Sequence, residues 1–370
     1  MSAKAWDGRA PAGPVLGTMT WGREAQVREK EAGEMLANLV EACEEIGCDP
    51  ILDTARVYQA GQTEELIGTL LKQEGQPWSG KNIQVHTKAA PVVTPLSAEG
   101  VRKQLEDSLK ALQMDCVHVF YLHLPEMRVD VEETLEACNE LYKEGKFEEL
   151  GLSNFAAWDV VRIVHLCETR GWVAPTVYQG VYSGLNRTLE PELFPALRTL
   201  GMRIYAYNPL AGGLLTGRYS SMEDITEAKE GRFSSQFDFV PSSIKTPMSG
   251  QGHKLYRARY GHELNIDACN LIAETVGKDK MVEKAFAWIR HHSYISGSDG
   301  IIFGASKPSH CASNLACFCD SEPLSENEVA AFKEAAKICF AAQESYTRSY
   351  GRLPGGSEVY MEKFTLGGSN

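Results

Sequence analysis

Residues 83–123 read IQVHTKAAPVVTPLSAEGVRKQLEDSLKALQMDCVHVFYLH and contain one complete structural unit. The apolar runs at 83–88 and 117–123 are short and rich in Val, Ile and aromatic residues, which predicts two strands. Residues 97–112, between them, have apolar side chains at helical spacing, which predicts a helix. A strand, a helix and a second strand in this order are typical of a parallel sheet.

The same unit repeats on both sides of this stretch. Short apolar runs predict eight strands, at 14–19, 49–54, 83–88, 117–123, 147–153, 176–181, 203–208 and 300–305. Longer stretches of helical period predict eight helices, at 28–46, 62–74, 97–112, 131–144, 156–170, 190–200, 279–290 and 308–318. Strict alternation of eight strands with eight helices predicts an α/β fold, the (β/α)₈ TIM barrel.

Two segments depart from the repeat. Residues 209–265 follow the seventh strand, are rich in Gly, Ser and polar residues, and are too long for a plain connection, so we expect a functional lid. Residues 325–345 predict an extra C-terminal helix, opened by the capping box Ser325-x-x-Glu328. The Gly-rich residues 346–370 predict a flexible tail. No linker divides the chain, and we expect residues 1–370 to form a single domain.

The composition excludes several classes of protein. Of 370 residues, 43% are hydrophobic and 23% are charged, which is typical of a globular chain with a large core. A formal net charge of −12 argues against a nucleic-acid-binding surface. No apolar run approaches the ~20 residues that span a bilayer, and the N-terminus lacks an apolar core of signal-peptide length. We therefore expect a soluble, cytoplasmic protein that binds neither nucleic acid nor membrane.

The ten cysteines are scattered through the chain, and we expect them to be reduced. Their one cluster combines Cys311, Cys317 and Cys319 with His310 and lacks the paired C-x-x-C spacing of a structural zinc site. We therefore predict no metal site.

Unexpected polar side chains fall at the carboxyl ends of the predicted strands, where (β/α)₈ barrels place their reactive groups. Asp53, Lys88 and His123 end strands two, three and four, and Tyr58 follows Asp53 by five residues. Each residue alone is more often a cap, a solvated strand end or a satisfied rim residue. Together, however, they suit proton donation to a carbonyl oxygen.

In this interpretation Tyr58 is the acid. Its phenol has an ordinary pKa of about 10, so a cation has to stabilise the phenolate, and Lys88 supplies that cation. Asp53 holds the Lys88 ammonium, and His123 donates a hydrogen bond that orients the substrate carbonyl. No metal or covalent nucleophile is required, so the electrons come from a hydride donor.

The later strand ends are suited to hold such a donor. Their side chains offer hydrogen bonds to a carboxamide and a ring to stack on a nicotinamide. The small residues of NPLAGGLLTGR, at 208–218, let backbone N–H groups approach a pyrophosphate, although the segment matches neither known phosphate fingerprint. The cofactor-binding residues predicted in this way are Ser153, Asn154 and Gln179 at the carboxamide, Tyr207 at the nicotinamide, and Asn208, Pro209, Leu210, Gly212, Gly213, Leu215, Gly217 and Arg218 at the pyrophosphate.

These residues stand in a series of motifs that resembles the aldo-keto reductase superfamily, and most closely its aflatoxin aldehyde reductase branch. The match runs from residue 15 to about residue 320. The motifs are, in order, VLGTMTWGR, DTARVYQAGQTEELIG, HTKA, FYLHLP, EGKFEELGLSNF, PTVYQGVYSGLNR, RIYAYNPLAGGLLTGRY and IIFGAS. The resemblance implies a (β/α)₈ barrel that uses NADPH and reduces aldehydes, with Asp53, Tyr58, Lys88 and His123 as its catalytic tetrad.

The resemblance also implies a binding site for the adenosine end of the cofactor. It places Gly304, Ser306 and Asn314 around that end, with Arg232 of the long loop closing over the cofactor. Two residues depart from the branch, Lys307 at a small polar position and His310 at a Gln position. Added positive charge near the 2′-phosphate favours NADPH over NADH, and we expect Arg232→Ala to weaken NADPH binding more than NADH binding.

The substrate residues follow from the segment LYRARY at 255–260, which resembles a Tyr-Arg-x-Arg segment of the branch. A guanidinium binds a carboxylate through two hydrogen bonds, so we expect small or aromatic aldehydes that carry a distant carboxylate. Arg257 and Arg259 are two positions apart and do not share a helix face, and we predict that Arg259 enters the pocket. The remaining substrate residues predicted are Met19, Trp21 and His123.

Two other functions stay open at this point. Relatives that serve as auxiliary subunits of potassium channels keep a similar tetrad and nucleotide, so the protein is alternatively a nucleotide-binding subunit with little turnover. A barrel whose polar residues are only structural is the third possibility. Oxidation of NADPH by a panel of aldehydes separates the three. By analogy with the branch we also expect a homodimer.

Overall fold

Eight parallel strands close into a barrel in a computed structural model that describes residues 12–23, 25–240 and 250–343. Each strand pairs with the next in sequence, and β1 pairs with both β2 and β8. The strands are β1 Gly13–Gly17, β2 Ile51–Asp53, β3 Gln84–Ala89, β4 Val117–Leu122, β5 Phe147–Ser153, β6 Pro175–Val181, β7 Arg203–Tyr207 and β8 Gly300–Phe303. The predicted (β/α)₈ barrel is confirmed, and the predicted strands overlap the observed ones.

Eight helices cover the outside of the barrel where the repeat predicts them. They are α1 Glu29–Ile46, α2 Gln62–Leu71, α3 Ala98–Leu112, α4 Val131–Lys143, α5 Ala157–Arg170, α6 Leu193–Thr199, α10 Met281–His291 and α11 Pro308–Cys319. Four further helices lie outside the repeat, namely α7 Met222–Thr226, α8 Gly252–Tyr260, α9 Glu263–Val276 and α12 Glu326–Cys339. The segment predicted as one long loop therefore contains α7 and α8 as well as a 3₁₀ turn at Ala211–Thr216.

Helix α9 is absent from the sequence prediction, which has no helix between the lid and residue 279. It begins where the His262 ring accepts a hydrogen bond from the Leu264 N–H. Its buried face includes Ile266 and Ile272. Helix α9 packs mainly against α12 and not against a barrel strand. The strand-helix repeat does not predict this pair, because α9 is an additional helix within the β7–β8 connection and α12 follows the last strand.

Helix α12 confirms the extra C-terminal helix. Ser325 and Glu328 form the predicted capping box, and the helix ends at Cys339, before a 3₁₀ turn at Phe340–Ala342. The predicted tail at 346–370 lies outside the described residues. Within the described ranges, none of the helices is long and apolar enough to cross a bilayer.

Apolar side chains fill two separate spaces. The larger core lies between the strands and the helices. The smaller one fills the barrel interior and includes Val15, Tyr121, Tyr205 and Ile302. Because these side chains fill the barrel interior, the described residues leave space for a ligand at the carboxyl ends of the strands.

Candidate active site

A cavity of about 690 Å³ opens at the carboxyl ends of the strands, between the barrel and the long loop after β7. This volume lies within the range of small-molecule and cofactor sites. The predicted residues that line it are Met19, Asp53, Tyr58, His123, Ser153, Asn154, Gln179, Tyr207, Asn208, Pro209, Leu210, Gly212, Gly213, Arg218, Arg232, Arg259, Gly304, Ser306, His310 and Asn314. Residues that are far apart in the sequence thus converge on one cavity.

Lys88 and Asp53 form a buried ion pair directly behind the cavity wall. The Lys88 Nζ donates to Asp53 Oδ1 at 2.7 Å and to the Thr54 carbonyl at 2.6 Å. Lys88 is 0% exposed and Asp53 is 2% exposed, so both charges depend on this geometry for compensation. Burial lowers the pKa of Lys88, and the Asp53 carboxylate opposes that shift. The pair therefore fixes a positive charge beneath the cavity floor.

Tyr58 begins a 3₁₀ turn just after β2, and its ring faces the cavity. The Lys88 Nζ lies 5.7 Å from the centre of the Tyr58 ring. Burial and then the charge of Asp53 raise the pKa of Tyr58 well above its ordinary value, while Arg232 lowers it. The expected acidification by Lys88 is thus not the dominant effect in this geometry. The Tyr58 phenol is protonated at neutral pH, and this is the form that donates a proton.

His123 follows β4 and lies beside Tyr58. The two rings meet edge to face, with 6.0 Å between their centres. Burial and then the charge of Lys88 lower the pKa of His123 to about 3. The imidazole is therefore neutral at physiological pH and carries one N–H donor. Tyr58 and His123 together present two neutral donors to the same part of the cavity.

The opposite wall consists of amide and hydroxyl groups from β5, β6 and β7. Asn154 donates to the His123 carbonyl at 3.0 Å and to Ser153 Oγ at 2.9 Å, and it accepts from the Tyr207 hydroxyl at 2.8 Å. Gln179 donates to Asp53 Oδ2 at 2.7 Å. These side chains hold each other in place, which suits a wall that orients a carboxamide.

Arg232 brings a buried positive charge to the cavity. Arg232 stacks on Phe237, with 4.5 Å from its Cζ to the ring centre, and its buried Nη1 has no hydrogen-bond partner among the described residues. A buried guanidinium calls for an anionic partner. The absence of a side chain at Gly304 lets the Arg232 guanidinium lie close to the main chain, since a Cβ on residue 304 would lie 3.2 Å from Arg232 Nη2. Gly212 has φ of +69°, and a Cβ there would meet the Tyr260 ring at 2.9 Å.

A group of basic side chains lies at the edge of the cavity. His310 Nδ1 lies 3.1 Å from Ser306 Oγ. Burial, followed by the charges of Lys307 and Arg218, lowers the pKa of His310. Arg218, Arg232 and His310 all line the cavity. A Cβ on Gly304, two residues before Ser306, would lie 3.2 Å from Arg232 Nη2, so the Arg232 guanidinium lies close to this part of the wall.

The two arginines of α8 have different surroundings. Arg259 lines the cavity, with its Cζ 5.8 Å from the centre of the Tyr207 ring. Arg257 donates instead to the carbonyls of Phe233, at 2.8 Å, and Thr226, at 3.0 Å. Of these two arginines, Arg259 is the one that lines the cavity.

Five predicted residues do not line this cavity, namely Lys88, which lies behind the wall, and Trp21, Leu215, Gly217 and Lys307. Trp21 is fully buried in the core between strands and helices. Leu215 is buried in the same core. Gly217 packs against the 3₁₀ turn at Lys278–Lys280, just before α10. A Cβ on Gly217 would lie 2.5 Å from the Lys278 carbonyl oxygen. Lys307 faces the long loop, and its Nζ lies 3.7 Å from Glu230 Oε2.

Sequence reasoning also missed part of the wall. Phe239 and Tyr256 line the cavity from the long loop, in a small apolar cluster with Met19 and Val57. The signal available was the density of aromatic residues in 233–239 and the position of Tyr256, three residues before Arg259 on the same helix. The Phe239 carbonyl accepts from the Gln59 N–H at 2.8 Å, which ties the long loop to the Tyr58 turn.

Comparison with known proteins gives a consistent result. The model of the Aldo/keto reductase family matches residues 15–337. The chain is 39% identical over 336 residues to "Aflatoxin B1 aldehyde reductase member 4" of Homo sapiens, covering 88% of this chain and 94% of that protein. It is 37% identical over 356 residues to "Aflatoxin B1 aldehyde reductase member 2" of Rattus norvegicus, covering 91% of this chain and 88% of that protein.

Proposed function

The chain belongs to the aldo/keto reductase family, and on this premise we propose that it reduces aldehydes, and also ketones, to alcohols with NADPH. The observation that carries the proposal is the convergence of Tyr58 and His123 on one cavity that is also lined by Arg232, whose buried Nη1 has no hydrogen-bond partner among the described residues. A proton donor and an anion site in one cavity match the needs of a carbonyl substrate and a dinucleotide.

When bound, NADPH supplies the hydride that a carbonyl carbon accepts. Ser153, Asn154 and Gln179 would hold its carboxamide, and Arg232 would hold its pyrophosphate. The neutral His123 donates a hydrogen bond to the carbonyl oxygen and orients it. Tyr58 donates its hydroxyl proton to the same oxygen, which becomes the alcohol.

The charges behind the wall support this proton transfer. As the Tyr58 proton leaves, negative charge develops on the phenol oxygen, and the fixed Lys88 ammonium stabilises it without reorganisation. Asp53 and the Thr54 carbonyl hold that ammonium in place. A proton from solvent restores Tyr58 after the alcohol leaves, which balances the reaction.

The direct test is the loss of NADPH absorbance with a panel of aldehydes and ketones, together with a fluorescence titration of NADPH binding. We expect both binding and turnover. Binding with no turnover on any carbonyl would instead favour a nucleotide-binding subunit, and no binding would contradict the proposal.

We expect the protein to bind NADPH at least about tenfold more tightly than NADH, since a charge-assisted hydrogen bond contributes roughly 1.5–3 kcal/mol. Arg218, whose charge acts on His310 together with that of Lys307, is a second candidate beside Arg232 for contact with the 2′-phosphate. Arg218→Ala and Arg232→Ala should each raise the Kd of NADPH more than the Kd of NADH. Fluorescence titrations with both cofactors check this, and equal affinities of the native chain for the two cofactors would contradict it.

We also expect a preference for aldehydes that carry a carboxylate, because Arg259 reaches the cavity and is suited to bind a carboxylate. Arg259→Ala should raise KM for a carboxylated benzaldehyde about tenfold and leave KM for benzaldehyde nearly unchanged. Arg257→Ala is the matched control, since its side chain holds backbone carbonyls instead. A selective effect of Arg257→Ala, or of neither variant, would rule out this role of Arg259.

A further inference from the structure

One hydrogen bond crosses the barrel interior from the cofactor wall to the tetrad. Gln179 Nε2 donates to Asp53 Oδ2 at 2.7 Å. Gln179 lies on β6 and Asp53 ends β2, and these strands are four apart in the closed order of eight, so they face each other across the barrel. Gln179 is 3% exposed and Asp53 is 2% exposed, so water does not compete effectively for this bond.

The bond completes the hydrogen bonding of the Asp53 carboxylate. Oδ1 accepts from Lys88 and Oδ2 accepts from Gln179, both at 2.7 Å. A carboxylate only accepts hydrogen bonds, so the amide nitrogen of Gln179 has to face it, and the amide oxygen remains as the acceptor for a ligand in the cavity. One amide group therefore serves both the cavity and the tetrad.

We propose that Gln179 is a positioning residue that fixes Asp53, and through Asp53 the Lys88 ammonium beneath Tyr58, so that binding of the cofactor carboxamide and proton donation share one hydrogen-bonded chain. This inference rests on the proposed function. Beyond the proposed function, the inference assigns to Gln179 an effect on the rate of the proton-transfer step as well as on cofactor affinity.

Ser153 provides the matched control. It lies beside Gln179 in the β5–β6 register, lines the same cavity, and makes no contact with Asp53 in the described residues. Ser153→Ala therefore removes a carboxamide contact and leaves the Asp53 hydrogen bonds intact. Gln179→Met removes a carboxamide contact and the donor to Asp53 at nearly constant volume.

The experiment compares these two variants by NADPH titration and by single-turnover rates at saturating NADPH. We expect both to bind NADPH several-fold more weakly. Gln179→Met should lower the single-turnover rate about tenfold further than Ser153→Ala, the usual scale for one hydrogen bond to a charged group. Equal single-turnover rates for the two variants, in a chain whose native form binds NADPH and turns over, would overturn the inference and leave the proposed function standing.

Gln179→Glu tests the hydrogen bond itself. At low pH the introduced carboxyl group is protonated and can donate to Asp53, whereas at higher pH it ionises and repels Asp53. We expect this variant to exceed Gln179→Met in single-turnover rate at the acidic end and to lose that advantage as the pH rises. Identical pH dependence of the two variants would contradict the inference.

The neighbouring titratable side chains do not interfere with this comparison near neutral pH. Burial lowers the pKa of His86 and His123 and raises the pKa of the tyrosines, so these groups keep one charge state near neutral pH. The titratable groups that face the Asp53–Lys88 pair are Tyr58, Glu64, His86, Tyr121, His123 and Tyr205. Glu64 is held by Arg56 at 2.6 Å and by Thr87 at 2.6 Å.

A measurement without cofactor completes the test. In the cofactor-free protein, the denaturant midpoint of Gln179→Glu should fall as the pH rises, because the two buried carboxylates repel each other once both are ionised. The midpoints of Ser153→Ala and Gln179→Met should not show this additional pH dependence. A pH-independent midpoint difference between Gln179→Glu and Gln179→Met would show that the side chain at 179 does not meet Asp53.

Discussion

Tyr58→Phe is expected to lower kcat for aldehyde reduction by ~10²-fold or more, which is the usual contribution of a positioned acid. The substitution removes only the hydroxyl group, so the edge-to-face contact with His123 stays. NADPH affinity should therefore remain nearly unchanged. Steady-state rates and a cofactor titration on the same preparation check both statements.

Tyr256→Phe is the matched control for this result. Tyr256 lines the same cavity, but its hydroxyl donates to Asn208 Oδ1 at 3.3 Å and lies on the long loop. Its loss should change kcat by less than about tenfold, on the scale of one neutral hydrogen bond. Near-normal turnover of Tyr58→Phe, or an equal loss in both variants, would exclude Tyr58 as the acid.

Lys88→Met should be similarly damaging to kcat, because it removes the cation that stabilises the developing phenolate. It should also destabilise the fold by about 3–5 kcal/mol, since the Asp53 carboxylate then lies buried without its counter-charge. Denaturant unfolding measures the second effect, and steady-state rates measure the first.

The double variant Asp53→Asn/Lys88→Met separates the two effects. It removes both buried charges and should recover much of the lost stability, since the unpaired carboxylate is gone. Its kcat should stay as low as that of Lys88→Met, because the cation beneath Tyr58 is still missing. Recovery of activity together with stability would mean that Lys88 serves the fold and not the reaction.

The repeated strands and helices were predictable because each one carries its own period. The strand Val117–Leu122 has buried apolar residues at adjacent positions, such as Val119 and Phe120, because both faces of a parallel sheet covered by helices are buried, and that pattern is local. Helix α9 was missed because its apolar face is matched to α12, a partner that lies far along the chain. An element with a clear hydrophobic period of its own can be predicted from the sequence. An element whose apolar face is matched only to a distant partner cannot.

The site was predictable to the extent that barrel geometry brings strand ends together. This rule places Asp53 and His123 at the cavity but cannot tell which side chains near a strand end turn inward. Trp21 turns into the core, and Lys307 turns to the long loop. The direction of Gln179 toward Asp53 was also invisible, because it depends on the diameter of the closed barrel. The expected homodimer stays a prediction, since a single chain does not test it.

The hydrogen bond between Gln179 and Asp53 joins residues 126 positions apart, and the Thr20 hydroxyl reaches the Ala305 carbonyl across 285 positions. Contacts of such sequence separation form late, because a long stretch of chain loses its conformational freedom before they are made. No contiguous half of the chain holds a complete active site. We therefore expect a nascent or partly folded chain to lack catalytic activity, and turnover to require the closure of β1 against β8.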